Sequence, residues 1–186
     1  SYFARLQYDY LGKYLFEANV RYDGSSRFDK GRKYGLFPSF SLGWRVSEEN
    51  FMKENLPWIY NLKIRGSWGE LGNQQIGNYP YQAILSSGNN AIWGNNVNAG
   101  VVLNTVANQD ITWETTAITD IGVDFSVWEG KVSATVDYYN KTTRDILYSI
   151  TTAGTLGLNA SPSNAGKVKN AGWDFNLSFK TKSEIS

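Results

Sequence analysis

Strict alternation between apolar and polar side chains constrains this chain more than any other feature. In residues 14–23, every second position is taken by an apolar or aromatic residue, namely Tyr14, Phe16, Ala18, Val20 and Tyr22. Most of the positions between them are charged or polar. A helix would spread this pattern around its circumference, whereas a strand sends alternate side chains to opposite faces. An apolar outer face and a polar inner face are what a membrane β-barrel requires.

Seven segments carry this alternation. The predicted strands are residues 2–10, 14–23, 37–46, 59–69, 112–127, 131–147 and 168–180. Residues 47–57 begin with a serine followed by two glutamates, which predicts a short helical turn. Residues 70–109 are rich in Gly and Asn. We predict a long loop there, and a structureless loop of that length is usually functional or disordered.

The connections between the predicted strands differ in length in a regular way. Shorter connections at 11–13, 47–57 and 129–130 would share one side of the sheet, and longer ones at 24–36, 70–110 and 148–166 the other. Short periplasmic turns and long extracellular loops are typical of outer-membrane barrels. A soluble β-sandwich or meander, whose apolar face is simply core, is the alternative. The sorted loops and the aromatic strand ends favour the barrel.

Composition excludes several classes of function. The 186-residue chain has a net charge of +1, which argues against electrostatic binding of nucleic acid. It contains neither Cys nor His, so disulfides, thiolate chemistry and the usual metal ligand are missing. We therefore predict no cofactor, no metal site and no enzymatic activity. Ser1 opens directly into strand-like sequence without a signal peptide, so we expect a piece of a longer exported protein.

Six groups of residues, spread in order along nearly the whole chain, form motifs typical of one family. In these motifs the chain resembles the barrel of SusC/RagA-type TonB-dependent transporters. The matching residues are 22–28, 37–39 with 43–45, 62–69 with 72–73, 112–114, 137–147 and 164–172.

The resemblance implies an all-β, transmembrane, antiparallel up-and-down barrel of 22 strands in the Gram-negative outer membrane. Residues 1–186 would supply about seven of those strands, and the plug, the TonB box and the last strands would lie outside them. It also implies import of oligosaccharides or peptides. The implied partners are a SusD-like lipoprotein lid, the TonB–ExbB–ExbD complex acting through the plug, and the outer-membrane lipid.

Charged residues on the polar face are the first group of candidate site residues. We place Arg21, Arg45, Arg65, Asp124 and Asp137 on the lumen side, because each alternates with apolar neighbours. They could bind substrate or the plug. The alternative is that they form ion pairs and hydrogen bonds between strands that line a wet interior.

The long loop supplies the second group, in which aromatic side chains stand among amides. Its candidate substrate-binding residues are Asn73, Tyr79, Tyr81, Asn89, Asn90 and Trp93. Aromatic platforms with amide donors suit sugars and peptides. The alternative is that these residues pack the loop or contact a partner. A second hypothesis for the whole protein is a structural or adhesive β-protein whose loops present a binding surface.

Overall fold

The computed structural model describes residues 1–103, 105–149, 151 and 153–181. In chain order the strands are β1 (Tyr2–Tyr10), β2 (Tyr14–Gly24), β3 (Tyr34–Arg45), β4 (Ile59–Asn73), β5 (Leu85–Ser87), β6 (Ala91–Trp93), β7 (Asn96–Asn98), β8 (Val101–Leu103), β9 (Glu114–Val127), β10 (Val132–Arg144), β11 (Leu147–Ser149), β12 (Pro162–Asn164) and β13 (Lys167–Phe179). A 3₁₀ turn covers Val46–Glu48, helix α1 covers Asn50–Asn55, and a second 3₁₀ turn covers Gly154–Leu156. Within the described ranges, no helix is long and apolar enough to cross a membrane.

Seven long strands form a single antiparallel sheet in the order β1-β2-β3-β4-β9-β10-β13. Strands that follow one another in this order also follow one another along the chain, once the short loop strands are set aside. Each is 9 to 15 residues long. A tilted strand needs about 9–11 residues to cross a bilayer. The predicted all-β, up-and-down architecture is therefore confirmed.

Three strand boundaries differ from the prediction by three residues or more, and β9 begins two residues later than predicted, at Glu114. β3 begins three residues earlier than predicted, because Tyr34 pairs with Gly24 across the sheet. β4 continues to Asn73, which pairs with Glu114. β10 ends at Arg144, before the predicted end, because Asp145 has a left-handed backbone with φ of 56° that breaks the strand. Pairing with a neighbouring strand decided the first two boundaries, and a single sequence carries little signal for it.

Residues 70–109, predicted as one long loop, contain regular structure. Their first four residues complete β4. Further along, β5 pairs with β8, and β6 pairs with β7 inside it, so two short hairpins are nested. A two-residue turn, Gly94-Asn95, joins Trp93 to Asn96, and Gly94 has a positive φ of 62°. Gly94 and Asn95 thus owe their place in this Gly- and Asn-rich segment to turn chemistry, whereas Asn96 and Asn98 lie in a strand.

The short connections lie at one end of the sheet. The turn after β1 places Leu11 and Gly12 at positive φ, and the Gly12 N–H donates to the Asp9 carboxylate over 2.7 Å. The turn after β9 runs through residues 128–131, where the Gly130 N–H donates to the Val127 carbonyl. The predicted helical turn is present between β3 and β4. The long loops all lie at the opposite end, as predicted.

Glu49 ties the short-turn end together. Its carboxylate accepts hydrogen bonds from Lys13 Nζ at 2.9 Å, Tyr14 Oη at 2.7 Å and Trp44 Nε1 at 3.2 Å. These donors, the lysine foremost, lower the pKa of Glu49 to about 2. The segment between β3 and β4 is thereby fastened to the turn between β1 and β2.

The apolar face of the sheet is exposed, which contradicts the soluble sandwich. Leu42 in β3 is 57% exposed, Ile121 in β9 56% and Phe175 in β13 74%. Among the described residues, the buried hydrophobic side chains lie at the sheet ends or in the connections; they are Phe28, Phe37, Val46, Met52, Ile111, Trp113 and Val127. A sandwich would bury the middle of that face under a second sheet.

Candidate functional site

Arg65, in the middle of β4, is the centre of a charged cluster on the polar face. Its guanidinium donates to Asp137 at 2.5 Å, to Asp120 at 3.2 Å and to Asp124 at 3.3 Å. Asp124 also accepts a hydrogen bond from the Thr135 hydroxyl. These four charged side chains come from three adjacent strands and carry a formal net charge of −2.

Gly122 makes room for this cluster. It lies on β9 opposite both Arg65 and Asp137 in the strand register. A Cβ atom at this position would stand 2.0 Å from Asp137 Oδ1 and 2.8 Å from Arg65 Cζ. A side chain would therefore separate the arginine from the aspartate. Sequence reasoning placed Arg65, Asp124 and Asp137 on this face but missed the role of Gly122, which becomes visible only once the register is known.

The two other predicted lumen arginines lie outside the cluster. Arg21 in β2 pairs with Asp23 on the same face at 2.6 Å, and its side chain is 66% exposed. Arg45 ends β3 at the short-turn end, where its side chain is exposed and its backbone N–H donates to the Lys13 carbonyl. The structure therefore brings together three of the five predicted charged residues.

A second polar network on this face was not predicted. Arg5 in β1 donates to Glu17 and Asn19 in β2, and Gln7 donates to the same glutamate at 2.7 Å. All four residues occupy the polar positions of the alternation, so their common face could be inferred from the sequence. The specific pairs required the register between β1 and β2.

The two networks border an open groove of about 560 Å³ on the polar face of β1 to β4. Side chains of both charges line it, including Asp9, Glu17, Lys63 and Arg65. Ser41 and Ser67 add hydroxyl groups. Such a wall can solvate or bind a polar solute, and since the sequence contains no histidine, it offers no nucleophile paired with an imidazole base.

At the long-loop end, aromatic side chains form a buried cluster that we call the loop cluster. It comprises Phe28, Phe37, Ile111 and Trp113. The Trp113 ring lies 5.1 Å from Phe28 and 5.4 Å from Phe37, measured between ring centroids. Leu147, from the loop after β10, packs against it. One apolar cluster thus fixes the bases of all three long loops.

Hydrogen bonds reinforce the contacts between these loops. Asn164 accepts from the Thr112 N–H at 2.8 Å and donates to the carbonyls of Thr112 and Asp145. Arg32 donates to the Gln109 carbonyl and to Asp110. The loop bases are therefore bonded to one another as well as packed.

The six predicted loop residues divide into two groups. Tyr81 is half-buried against the loop cluster, and Asn73 donates to Glu114 at 3.2 Å at the end of β4. Asn73 is exposed, and so are the other four: Tyr79, Asn89, Asn90 and Trp93. Trp93 stands beside the turn of the inner hairpin with 82% of its surface exposed. The structure brings Tyr79 and Tyr81 into edge-to-face contact.

The family model for the β-barrel of TonB-dependent receptor-like proteins matches residues 1–183. The chain belongs to the TonB-dependent receptor β-barrel family. The predicted family and the outer-membrane location are confirmed. In this family the short turns after β1, β3 and β9 face the periplasm, and the long loops face the outside.

Relatives and solved structures agree with this assignment. A TonB-dependent receptor, P39, from Formosa agariphila is 41% identical over 97% of this chain, which spans 17% of that relative. SusC from Bacteroides thetaiotaomicron is 34% identical over 97% of this chain and 18% of its own length. The RagAB peptide transporter structure matches with a TM-score of 0.86 and 28% identity, over 98% of this chain and 20% of that chain. The chain thus spans less than a fifth of the length of each of these two relatives and a fifth of the RagAB chain.

Proposed function

We propose that this chain forms part of the wall of a TonB-dependent importer of oligosaccharides or peptides. The observation that carries the proposal is the opposition of two faces on one meandering sheet. One face is apolar and exposed, as lipid contact requires, and the other carries ion pairs and a polar groove. Similarity to SusC and to the RagAB peptide transporter supports import rather than adhesion.

The same similarity supports the partners of the whole protein. A SusD-like lipoprotein would cover the extracellular loops, and TonB–ExbB–ExbD would act through a plug inside a barrel of about 22 strands. In this arrangement the Arg65 cluster would face the plug or a passing solute. Its net negative charge favours a cationic or hydrogen-bond-donating surface opposite.

Substrate contact is proposed for the extracellular loop residues. Five of the six candidates are exposed, and four of these, Tyr79, Asn89, Asn90 and Trp93, lie beyond the end of β4 and are therefore available to a ligand. Trp93 offers a flat apolar ring, and the asparagines offer amide donors and acceptors. Tyr81 and Asn73 would act by holding the base of the loop.

The test uses the full-length protein in its native outer membrane. Uptake of labelled oligosaccharides and of labelled peptides is measured in cells carrying wild-type protein, Trp93→Ala or Ile92→Ala, with and without TonB. We expect TonB-dependent uptake of one class, lowered by Trp93→Ala and unchanged by Ile92→Ala, a matched loss of apolar surface in the same hairpin. Unchanged uptake on removing the whole protein would support the adhesive alternative instead.

A further inference from the structure

On the lipid-facing side of β10 and β13, aromatic side chains are followed by cationic ones towards the extracellular end. Lower on these strands, that face carries Tyr138 and Trp173, whose rings lie 5.0 Å apart. The register continues without a bulge to the pairs Thr142–Lys169 and Arg144–Lys167. Alternation therefore places Arg144, Lys167 and Lys169 on the same outward face as the aromatic residues.

The height of these cations can be worked out along β13. Lys169 precedes Phe179, the outward aromatic residue at the periplasmic end, by ten residues. At about 3.3 Å per residue and a strand tilt of about 40°, this is roughly 25 Å along the membrane normal. The apolar band of a membrane barrel is also about 25 Å tall. Lys169 thus lies at the level of the outer-leaflet headgroups, with Lys167 and Arg144 just beyond.

The patch is positively charged. Arg144 and Lys167 stand directly opposite each other across the strands, an arrangement of like charges that by itself is destabilising. Glu70 in β4 reaches Arg144 at 2.8 Å and offsets one charge. Asp145, the next residue, lies in the turn beyond the sheet. Among the described residues of β4, β9, β10 and β13, the outward charged groups at this end are three cations and one anion, which gives a net charge of +2 facing the headgroup region.

We propose that Arg144, Lys167 and Lys169 form a binding surface for the phosphate-bearing headgroup of an outer-leaflet glycolipid. A phosphate between the facing strands would relieve the repulsion between Arg144 and Lys167. Arginine can hold a phosphate through two parallel N–H bonds, and the lysines add point charges. The aromatic rings below would contact the acyl chains of the same lipid.

The experiment compares two double variants of the full-length transporter in phosphate-free detergent. Lys167→Gln/Lys169→Gln removes two outward charges, and Lys63→Gln/Lys141→Gln removes two charges from the lumen face of β4 and β10. Binding of lipid A carrying one phosphate, and of the same lipid A after phosphatase treatment, is measured by native mass spectrometry. Gel mobility before and after boiling confirms that both variants are folded barrels.

We expect the outward variant to bind phosphorylated lipid A roughly thirtyfold more weakly. Each of the two lysines, placed near an anionic headgroup, contributes about a 5.5-fold gain in affinity. The lumen variant should bind like the wild type, and dephosphorylated lipid A should bind both variants equally. Equal losses in both variants, or no preference for the phosphorylated lipid, would overturn the proposal. Displacement of lipid A by millimolar inorganic phosphate would also overturn it, because the surface would then be a site for the free anion.

Discussion

Removing the Arg65 guanidinium tests how the middle of the sheet is held together. Arg65→Gln keeps a polar side chain of similar length but deletes the cation that pairs with Asp120, Asp124 and Asp137. Arg21→Gln is the matched control, because Arg21 is also a lumen-facing arginine with an ion pair, to Asp23. The two variants lose the same charge from the same face.

The structure predicts different costs for these two substitutions. The Arg65 side chain is 33% exposed and that of Asp137 is 19% exposed, so the cluster lies between the buried and the surface cases. Removing one partner of a buried ion pair lowers the free energy of unfolding by about 3–5 kcal/mol. For an exposed pair the loss is about 0–1 kcal/mol. We expect about 2–4 kcal/mol for Arg65→Gln, including repulsion among the aspartates. Arg21→Gln should cost less than about 1 kcal/mol.

The free energy of unfolding of the full-length barrel can be followed in lipid vesicles by tryptophan fluorescence during urea titration. Adding Asp137→Asn to Arg65→Gln should recover at least about 1 kcal/mol, because it removes the least exposed of the unpaired carboxylates. Equal, small effects of Arg65→Gln and Arg21→Gln would refute the idea that the cluster stabilises the sheet. A large loss without recovery in the double variant would show that Arg65 acts through packing rather than charge.

Two further predictions concern the outer face and the periplasmic end. Phe175→Arg, near the middle of the apolar band, should destabilise the barrel by roughly 2–4 kcal/mol. Asn176→Arg, at the same depth on the lumen face, should have a much smaller effect on stability. The heat-modifiable gel mobility of the assembled protein compares the two variants. Glu49→Gln should lower stability at neutral pH. Because the pKa of Glu49 is lowered to about 2 in the folded state, its contribution is complete above its ordinary pKa of 4.5 and is lost as the pH falls towards 2. Unfolding of wild type and variant should therefore converge in acid, and a gap that stays constant down to pH 2 would contradict this account.

Much of the sheet could be predicted from the sequence because alternation reports directly on strand faces. All seven long strands and the side on which each loop lies follow from residues such as those of β2, where Phe16 and Glu17 point to opposite faces. What alternation does not report is the partner of each residue. The extension of β3 to Tyr34 and of β4 to Asn73 depends on pairing across the sheet, so these ends were missed.

The same limit applies to the candidate site. The lumen side of Arg65 and Asp137 was predictable, because both alternate with apolar residues. Their contact was not, since it joins residues 72 positions apart through the register of three strands. Trp113 shows a further limit. Its local sequence suggested the start of a strand, whereas its ring packs on Phe28 and Phe37 and its indole N–H donates to the Lys33 carbonyl.

These contacts divide the extracellular side into a fixed base and an exposed arm. The loop cluster and the Asn164 hydrogen bonds hold the bases of three loops to the sheet, and Tyr81 packs onto that base. The nested hairpins extend beyond it, with Trp93 exposed near their tip. Because the sheet below is held by the Arg65 cluster at its centre and by Glu49 at the periplasmic end, movement that admits a substrate would be concentrated in the hairpins. A fixed wall with an exposed aromatic arm suits the proposed importer, in which a solute would meet the hairpins before the wall.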